Sequence, residues 1–147
     1  MRHDLAKVAA MSTHRQSASF ALAAAGVLGL TAVTLGAFGA HALKQTLIER
    51  GMTTAWETGS RYHLIHTVAV LGVAAWLRAA AEESSRALPW AVKLWCVGTL
   101  LFSGSLYLLS VGGPRWLGPV TPLGGVALIA GWLLVLVAAL SKRPKAS

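Results

Sequence analysis

Long runs of apolar residues, each about as long as a membrane is thick, dominate this sequence. Four stretches carry few or no charges over about 20 residues, the length that an α-helix needs to cross the hydrocarbon layer of a bilayer. We predict helices over residues 18–43, 54–81, 89–111 and 122–140, with the second entering the membrane near residue 62. The runs are too long and too uniformly apolar for the alternating pattern of a transmembrane β-barrel.

These four helices predict an all-α fold, an integral membrane four-helix bundle with up-down-up-down topology. The helices form one domain over residues 18–140, between a basic N-terminal tail over 1–17 and a basic C-terminal tail over 141–147. Thr54 and Glu57 have the spacing of a capping box at the start of the second helix.

The composition excludes two other classes of protein. Of the 147 residues, 55% are hydrophobic and only 12% are charged, whereas an ordinary soluble domain carries about 25% charged residues. So few charges cannot cover the surface of a water-soluble globule. A mean hydropathy of +0.60 excludes an intrinsically disordered chain. The only cysteine, Cys96, excludes an internal disulfide.

The charge is strongly basic, with 13 Lys and Arg residues against 5 Asp and Glu residues. The basic residues flank the apolar runs, which is typical of membrane topology signals and of contact with anionic lipid headgroups, and no nucleic-acid partner is predicted. Nine basic residues fall on the side of the two termini and the second connection, against four on the opposite side. This asymmetry predicts that both termini are cytoplasmic.

Small residues recur at helical spacing within the apolar runs. Membrane helices approach each other most closely where their side chains are small, so such stripes indicate helix contacts. We expect the following glycines to mediate helix packing: Gly29, Gly36, Gly39, Gly98, Gly124 and Gly131.

Polar side chains gather towards one predicted face of the membrane, and they form the candidate binding or structural cluster. Its members are His41, Lys44, Tyr62, His63, His66 and Thr121. A polar residue within a span is a candidate for function, and His66 lies inside the second apolar run. Two interpretations of His66 stay open: a neutral imidazole that hydrogen-bonds another helix, or a ligand-binding or proton-handling group.

Metal chemistry has weak support in the sequence. His63 and His66 form an H-x-x-H pair, and His41 could add a third imidazole for a metal ion or a haem. No Asp or Cys accompanies the pair, so we predict no metal site and no cofactor. Motifs of hydrolases, nucleotide-binding loops and zinc proteases are also absent. We therefore expect no enzyme and no catalytic residues.

The stretch Thr34–Lys44, TLGAFGAHALK, resembles the signature of the domain of unknown function 423 family of small four-span bacterial membrane proteins. Residues 54–66, 101–107 and 117–132 are similar to further segments of that family, so the resemblance covers about residues 18–140. The resemblance implies four helices in a bacterial cell membrane and implies no activity. The positions that match the family motifs are Gly36, Gly39, His41, Lys44, Tyr62, His66, Thr121, Pro122 and Gly124.

The leading functional hypothesis is a structural or interaction component of the bacterial inner membrane. Its expected partners are the lipid bilayer, other membrane proteins or further copies of itself. Two alternatives stay open: a component of a small-solute or ion transporter or channel, and a haem- or metal-binding membrane protein that uses His41, His63 and His66.

Overall fold

The computed structural model describes residues 2–79 and 85–141. Throughout these two ranges every regular element is helical, which confirms the all-α class. The five α-helices are α1 (Arg2–Ala40), α2 (Lys44–Glu49), α3 (Thr53–Ala79), α4 (Ala87–Ser110) and α5 (Val120–Leu140), and a 3₁₀ turn at Arg115–Leu117 precedes α5.

Three segments of the described chain are long and apolar enough to cross a membrane. They are Met11–Ala40 in α1, Ala87–Ser110 in α4, and Arg115–Leu140, which joins the 3₁₀ turn to α5. Helix α3 has the length of a span but a more polar composition, since it carries two histidines and an arginine within the predicted membrane segment. The three apolar helices fit a multi-pass membrane protein.

The first helix differs most from the prediction. A basic tail is expected over residues 1–17, but α1 is already helical at Arg2 and ends at Ala40 rather than at residue 43. Residues 2–17 contain no glycine or proline, so nothing in them interrupts a helix that the following apolar run stabilises. The predicted end of the second helix at residue 81 lies outside the described residues, as does the C-terminal tail after Ser141.

The short helix α2 fills the first connection, where the sequence predicts no helix. Its one buried residue is Leu47, which is 1% exposed and packs with Trp56 and Tyr107. Gly51 ends the segment in the left-handed region (φ +65°), where a glycine is favoured. The Arg50 Nε donates a hydrogen bond of 3.0 Å to the carbonyl of Ser110 at the end of α4. The first and third connections therefore lie at the same end of the molecule.

Helices α3 and α4 form the middle of the packing. Helix α3 packs along α1 on one side and along α4 on the other, and α4 packs in turn along α5. Helix α1 reaches α4 at only a few positions, and α1 and α5 do not pack along each other. One apolar cluster joins these helices, and its largest fully buried side chain is Trp95.

Candidate functional site

The six predicted polar residues fall into separate environments. His41 and Lys44 are exposed, in and directly after the turn that ends α1. His63 and His66 are buried in α3, with exposures of 5% and 3%, whereas Tyr62 beside them is 42% exposed. Thr121 is half-buried in the first turn of α5. The structure therefore brings only part of the predicted cluster together.

His66 lies within a group of aromatic rings contributed by three helices. Tyr62 stacks on it with ring centroids 6.0 Å apart, and the indoles of Trp95 and Trp132 meet it edge-on at 6.2 and 6.1 Å. The two indoles also contact each other, with centroids 4.8 Å apart. This group joins α3 to α4 and α5 at the depth of His66.

Both nitrogens of the His66 ring are occupied by hydrogen bonds. The Trp132 Nε1 donates to the His66 Nε2 at 3.1 Å, and an indole nitrogen can only donate. The Nε2 is therefore the unprotonated acceptor. The Nδ1, at 2.8 Å from the Tyr62 carbonyl oxygen, carries the proton and donates it to that carbonyl. His66 is thus a neutral imidazole that bridges α3 and α5.

His63 bridges a different pair of helices. Its Nε2 lies 3.3 Å from the Thr31 hydroxyl on α1, and its Nδ1 lies 3.4 Å from the Tyr107 hydroxyl on α4. The Thr31 hydroxyl already donates to carbonyls of its own helix, at Val27 (2.8 Å) and Leu28 (3.0 Å). The Thr31 oxygen therefore accepts from the His63 Nε2, and the Nδ1 accepts from Tyr107.

The two histidines of the H-x-x-H pair thus have opposite tautomers and different partners. His63 faces α1 and α4, whereas His66 faces the indole of Trp132 on α5. A shared metal ion would require both rings to leave their present hydrogen bonds. Over residues 2–79 and 85–141, no group of three or more His, Cys, Asp and Glu side chains has the geometry to hold a metal ion.

Thr121, in the first turn of α5, contacts the preceding helix α4. Its hydroxyl lies 2.7 Å from the hydroxyl of Ser105, which is 3% exposed on α4. The Ser105 hydroxyl also lies 2.9 Å from the Phe102 carbonyl, so its proton has an acceptor within its own helix. Thr121 is therefore a contact between α4 and α5, remote in the sequence from the histidines.

The six predicted packing glycines all lie against a neighbouring helix. On α1, added Cβ atoms at Gly29 and Gly36 would lie 3.4 Å from side chains of α3, and one at Gly39 would overlap the Trp56 indole. That indole lies across α1 and donates a hydrogen bond of 3.2 Å to the Leu35 carbonyl.

The remaining three glycines form the contact between α4 and α5. A Cβ at Gly98 would lie 2.6 Å from the Leu128 Cδ2, and one at Gly131 would overlap the Trp95 indole. At Gly124 it would overlap the backbone nitrogen of Phe102, which cannot move without shifting the helix. The small residues therefore serve contacts within the chain.

Several polar residues of the interior were missed by the sequence analysis. Tyr107 and Trp132 are the partners of the two histidines, and both were assigned to apolar runs. Within the described ranges 2–79 and 85–141, three further buried polar atoms have no hydrogen-bond partner: the Trp95 Nε1, the Thr99 hydroxyl and the Ser103 hydroxyl. These residues are spaced by four along α4, so they share one face of that helix. That spacing of polar residues within an apolar run is the signal that could have found them.

Comparison with known proteins identifies relatives along most of the chain. A family model described as "Protein of unknown function (DUF423)" matches residues 35–125. The UPF0382 inner membrane protein YgdD of Escherichia coli (strain K12) is 41% identical over 128 residues, which cover 86% of this chain and 93% of YgdD. The UPF0382 membrane protein YwdK of Bacillus subtilis (strain 168) is 43% identical over 110 residues, which cover 75% of this chain and 87% of YwdK.

A third relative is a UPF0382 membrane protein of Staphylococcus epidermidis, 38% identical over 111 residues that cover 76% of this chain and 87% of that protein. No solved structure matches the chain. The family model covers well over half of the sequence, from the last turns of α1 to the first turns of α5. It includes His63, His66 and Tyr107, whereas the partners Thr31 and Trp132 lie outside the matched residues. The chain belongs to the DUF423 family, as the sequence resemblance predicts.

Proposed function

We propose that this protein is a four-span component of the bacterial inner membrane that acts through association with other membrane components rather than through catalysis. The observation that carries the proposal is that the buried histidines are engaged in bonds between helices. His63 and His66 each have both ring nitrogens in hydrogen bonds, so neither is positioned as a free base or ligand. Such bonds stabilise helix association in a membrane.

Polar and aromatic side chains are accessible at the end of the molecule formed by the first and third connections. His41 and Lys44 are exposed beside α2, and Trp116 is 67% exposed in the third connection. Arg115, next to Trp116, is also exposed. Aromatic and arginine side chains are enriched in protein interfaces, so this end supports the proposed contact with other membrane proteins or with further copies of the chain.

Site-specific photocrosslinking in cells tests the association. A photoreactive amino acid placed at His41 is expected to give discrete crosslinked products, while the same residue at Leu30, which is 72% exposed in the middle of α1, is expected to give mainly lipid adducts. Identical product patterns at the two positions, or an uncrosslinked monomer at both, would contradict the proposed interaction end.

The four-span topology has support from the length of α3 and from the partners of its buried polar side chains. Helix α3 has 27 residues, enough at about 1.5 Å per residue to cross the hydrocarbon layer. Its buried polar side chains have protein partners within the bundle, as required of polar groups at that depth. Reporter fusions at the two termini are expected to be active only as cytoplasmic reporters, and termini in opposite compartments would refute four spans.

A transporter or channel component is the second candidate, and the unpaired hydroxyls of α4 favour it. Thr99 and Ser103 are 2% and 1% exposed and have no partner, and polar groups inside a membrane protein often line the path of an ion or solute. Flux of ions or small solutes into liposomes, lost in the Thr99→Val and Ser103→Ala double variant, would support this function. Liposomes without any flux would remove it.

A further inference from the structure

A groove of about 190 Å³ opens between α1 and α4 near the start of the candidate span in each of these two helices. Gln16 and Ser17 line it from α1, in the second turn of the candidate span that begins at Met11. Pro89 and Lys93 line it from the first two turns of α4, which is also a candidate span. Because both spans begin beside the groove, it lies at the level where hydrocarbon meets the headgroups.

The lining of the groove is amphipathic. Val92 is buried, with 1% exposure, and Phe20 is 49% exposed one turn deeper along α1 than Gln16. The polar residues of the lining are Gln16 and Ser17, and Lys93 is the one charged residue among the six that line the groove. Apolar surface below a polar and cationic rim is the pattern expected for a bound phospholipid.

The Lys93 side chain extends back towards the start of its helix. Its ammonium lies 4.4 Å from the ring centroid of Trp90, which is three residues earlier and 60% exposed. A lysine inside a span reaches the interface in this way, and an indole ring is well suited to that level of the membrane. The cation–π contact therefore holds the charge at the headgroup level beside the groove.

Two further exposed cations flank the groove residues along the sequence. Arg15 stands one residue before Gln16, and Arg86 stands three residues before Pro89. Basic side chains near a membrane surface attract anionic lipids. The rim is thus complementary to a negatively charged headgroup.

We propose that this groove binds a glycerophospholipid with a net negative headgroup. The phosphate contacts the Lys93 ammonium and the Gln16 amide, and an acyl chain lies along Phe20 and Pro89. The proposal assigns a specific lipid site to the α1–α4 surface, in addition to the general contact of the protein with the bilayer.

Native mass spectrometry of the full-length protein in detergent tests this site. Phosphatidylglycerol and phosphatidylethanolamine are added at equal concentration, and the lipid adducts are compared in the intact protein, in Lys93→Gln and in Lys44→Gln. We expect the intact protein and Lys44→Gln to prefer phosphatidylglycerol to the same extent. We expect Lys93→Gln to reduce that preference about fivefold, which is the contribution of one cation near the surface. Lys44→Gln is the matched control, because it removes the same charge from an exposed residue at the opposite end of the molecule.

A second variant tests whether lipid retention depends on the groove as well as on the charge of Lys93. Ser17→Phe fills the groove and keeps Lys93, so we expect it to lose the tightly retained lipid while its melting temperature without lipid stays close to that of the parent. Equal preference in Lys93→Gln and Lys44→Gln would overturn the proposal, as would full lipid retention in Ser17→Phe. Displacement of the lipid by inorganic phosphate would also overturn it, because the acyl chain would then contribute nothing to binding.

Discussion

The two faces of α4 show different ways of holding membrane helices together. Towards α5, glycines at Gly98, Gly124 and Gly131 let the two helices approach until side chains of one lie against the backbone of the other. On the α3 side, the contact with the neighbouring helices includes histidine and hydroxyl groups, among them His63 and Tyr107. In lipid the apolar side chains gain little by leaving their solvent, so association depends on close packing and on hydrogen bonds. This protein uses both. The glycine contacts lie towards α5, where Ser105 and Thr121 add one hydroxyl contact, and the contact of Tyr107 with His63 lies on the α3 side.

The largest loss of stability is expected where a side chain added to a glycine would overlap the backbone of the neighbouring helix. In Gly124→Val the new side chain would overlap the backbone of Phe102, and overpacking of this kind costs about 3 kcal/mol when the neighbour cannot move. The free energy of unfolding in mixed micelles measures the loss. The matched control is Gly26→Val, at a position with nothing within 4 Å of the added Cβ, and its expected change is within about 0.5 kcal/mol. Equal losses in the two variants would show that the α4–α5 approach is looser than described.

An intermediate effect is expected from the polar contact between His66 and Trp132. A double-mutant cycle of His66→Leu and Trp132→Phe should give a coupling of about 1 kcal/mol, within the range measured for hydrogen bonds between membrane helices. The same cycle with Trp76→Phe in place of Trp132→Phe is the control, because Trp76 is 54% exposed on the outside of α3. Coupling indistinguishable from that control would mean that the bond of 3.1 Å contributes nothing to the contact.

The smallest change in the free energy of unfolding is expected at Ser103. This variant tests whether hydroxyl groups with and without a partner contribute differently to stability. Ser103→Ala removes a buried hydroxyl that has no partner, so the free energy of unfolding should be unchanged or slightly higher. Ser105→Ala removes the hydroxyl contact with Thr121 and should cost about 0.6 kcal/mol. A loss at Ser103 as large as that at Ser105 would reveal a bound partner for the Ser103 hydroxyl and would favour the transporter hypothesis.

The sequence predicts α4 and α5 closely, because long apolar runs that begin near prolines leave little freedom in where these helices start. Residues 87–110 and 120–140 differ by one or two residues from the predicted ranges. The start of α1 could not be predicted in this way, since residues 2–17 are polar and their helix depends on continuity with the apolar run. Helix α2 has six residues, too few for a hydrophobic period to be recognised.

The sequence singles out the two buried histidines but not their partners. Because His66 lies inside an apolar run, it is identified as a polar residue that needs a hydrogen-bond partner. Many residues of the sequence could be that partner. The partner, Trp132, is 66 residues away, and its choice depends on the rotation and depth of three helices. His63 and His66 are three positions apart, about 60° around a helix, and this small angle directs them to different neighbours.

The continuous helix α1 has a mechanical consequence. Its 39 residues extend about 58 Å at 1.5 Å per residue, nearly twice the roughly 30 Å of the hydrocarbon layer. Since the candidate span begins at Met11, we expect the preceding two and a half turns to extend beyond the hydrocarbon layer. A fluorescent label attached there would then stay at a nearly constant distance from the lipid surface, so it could serve as a reference point for distance measurements to neighbouring proteins.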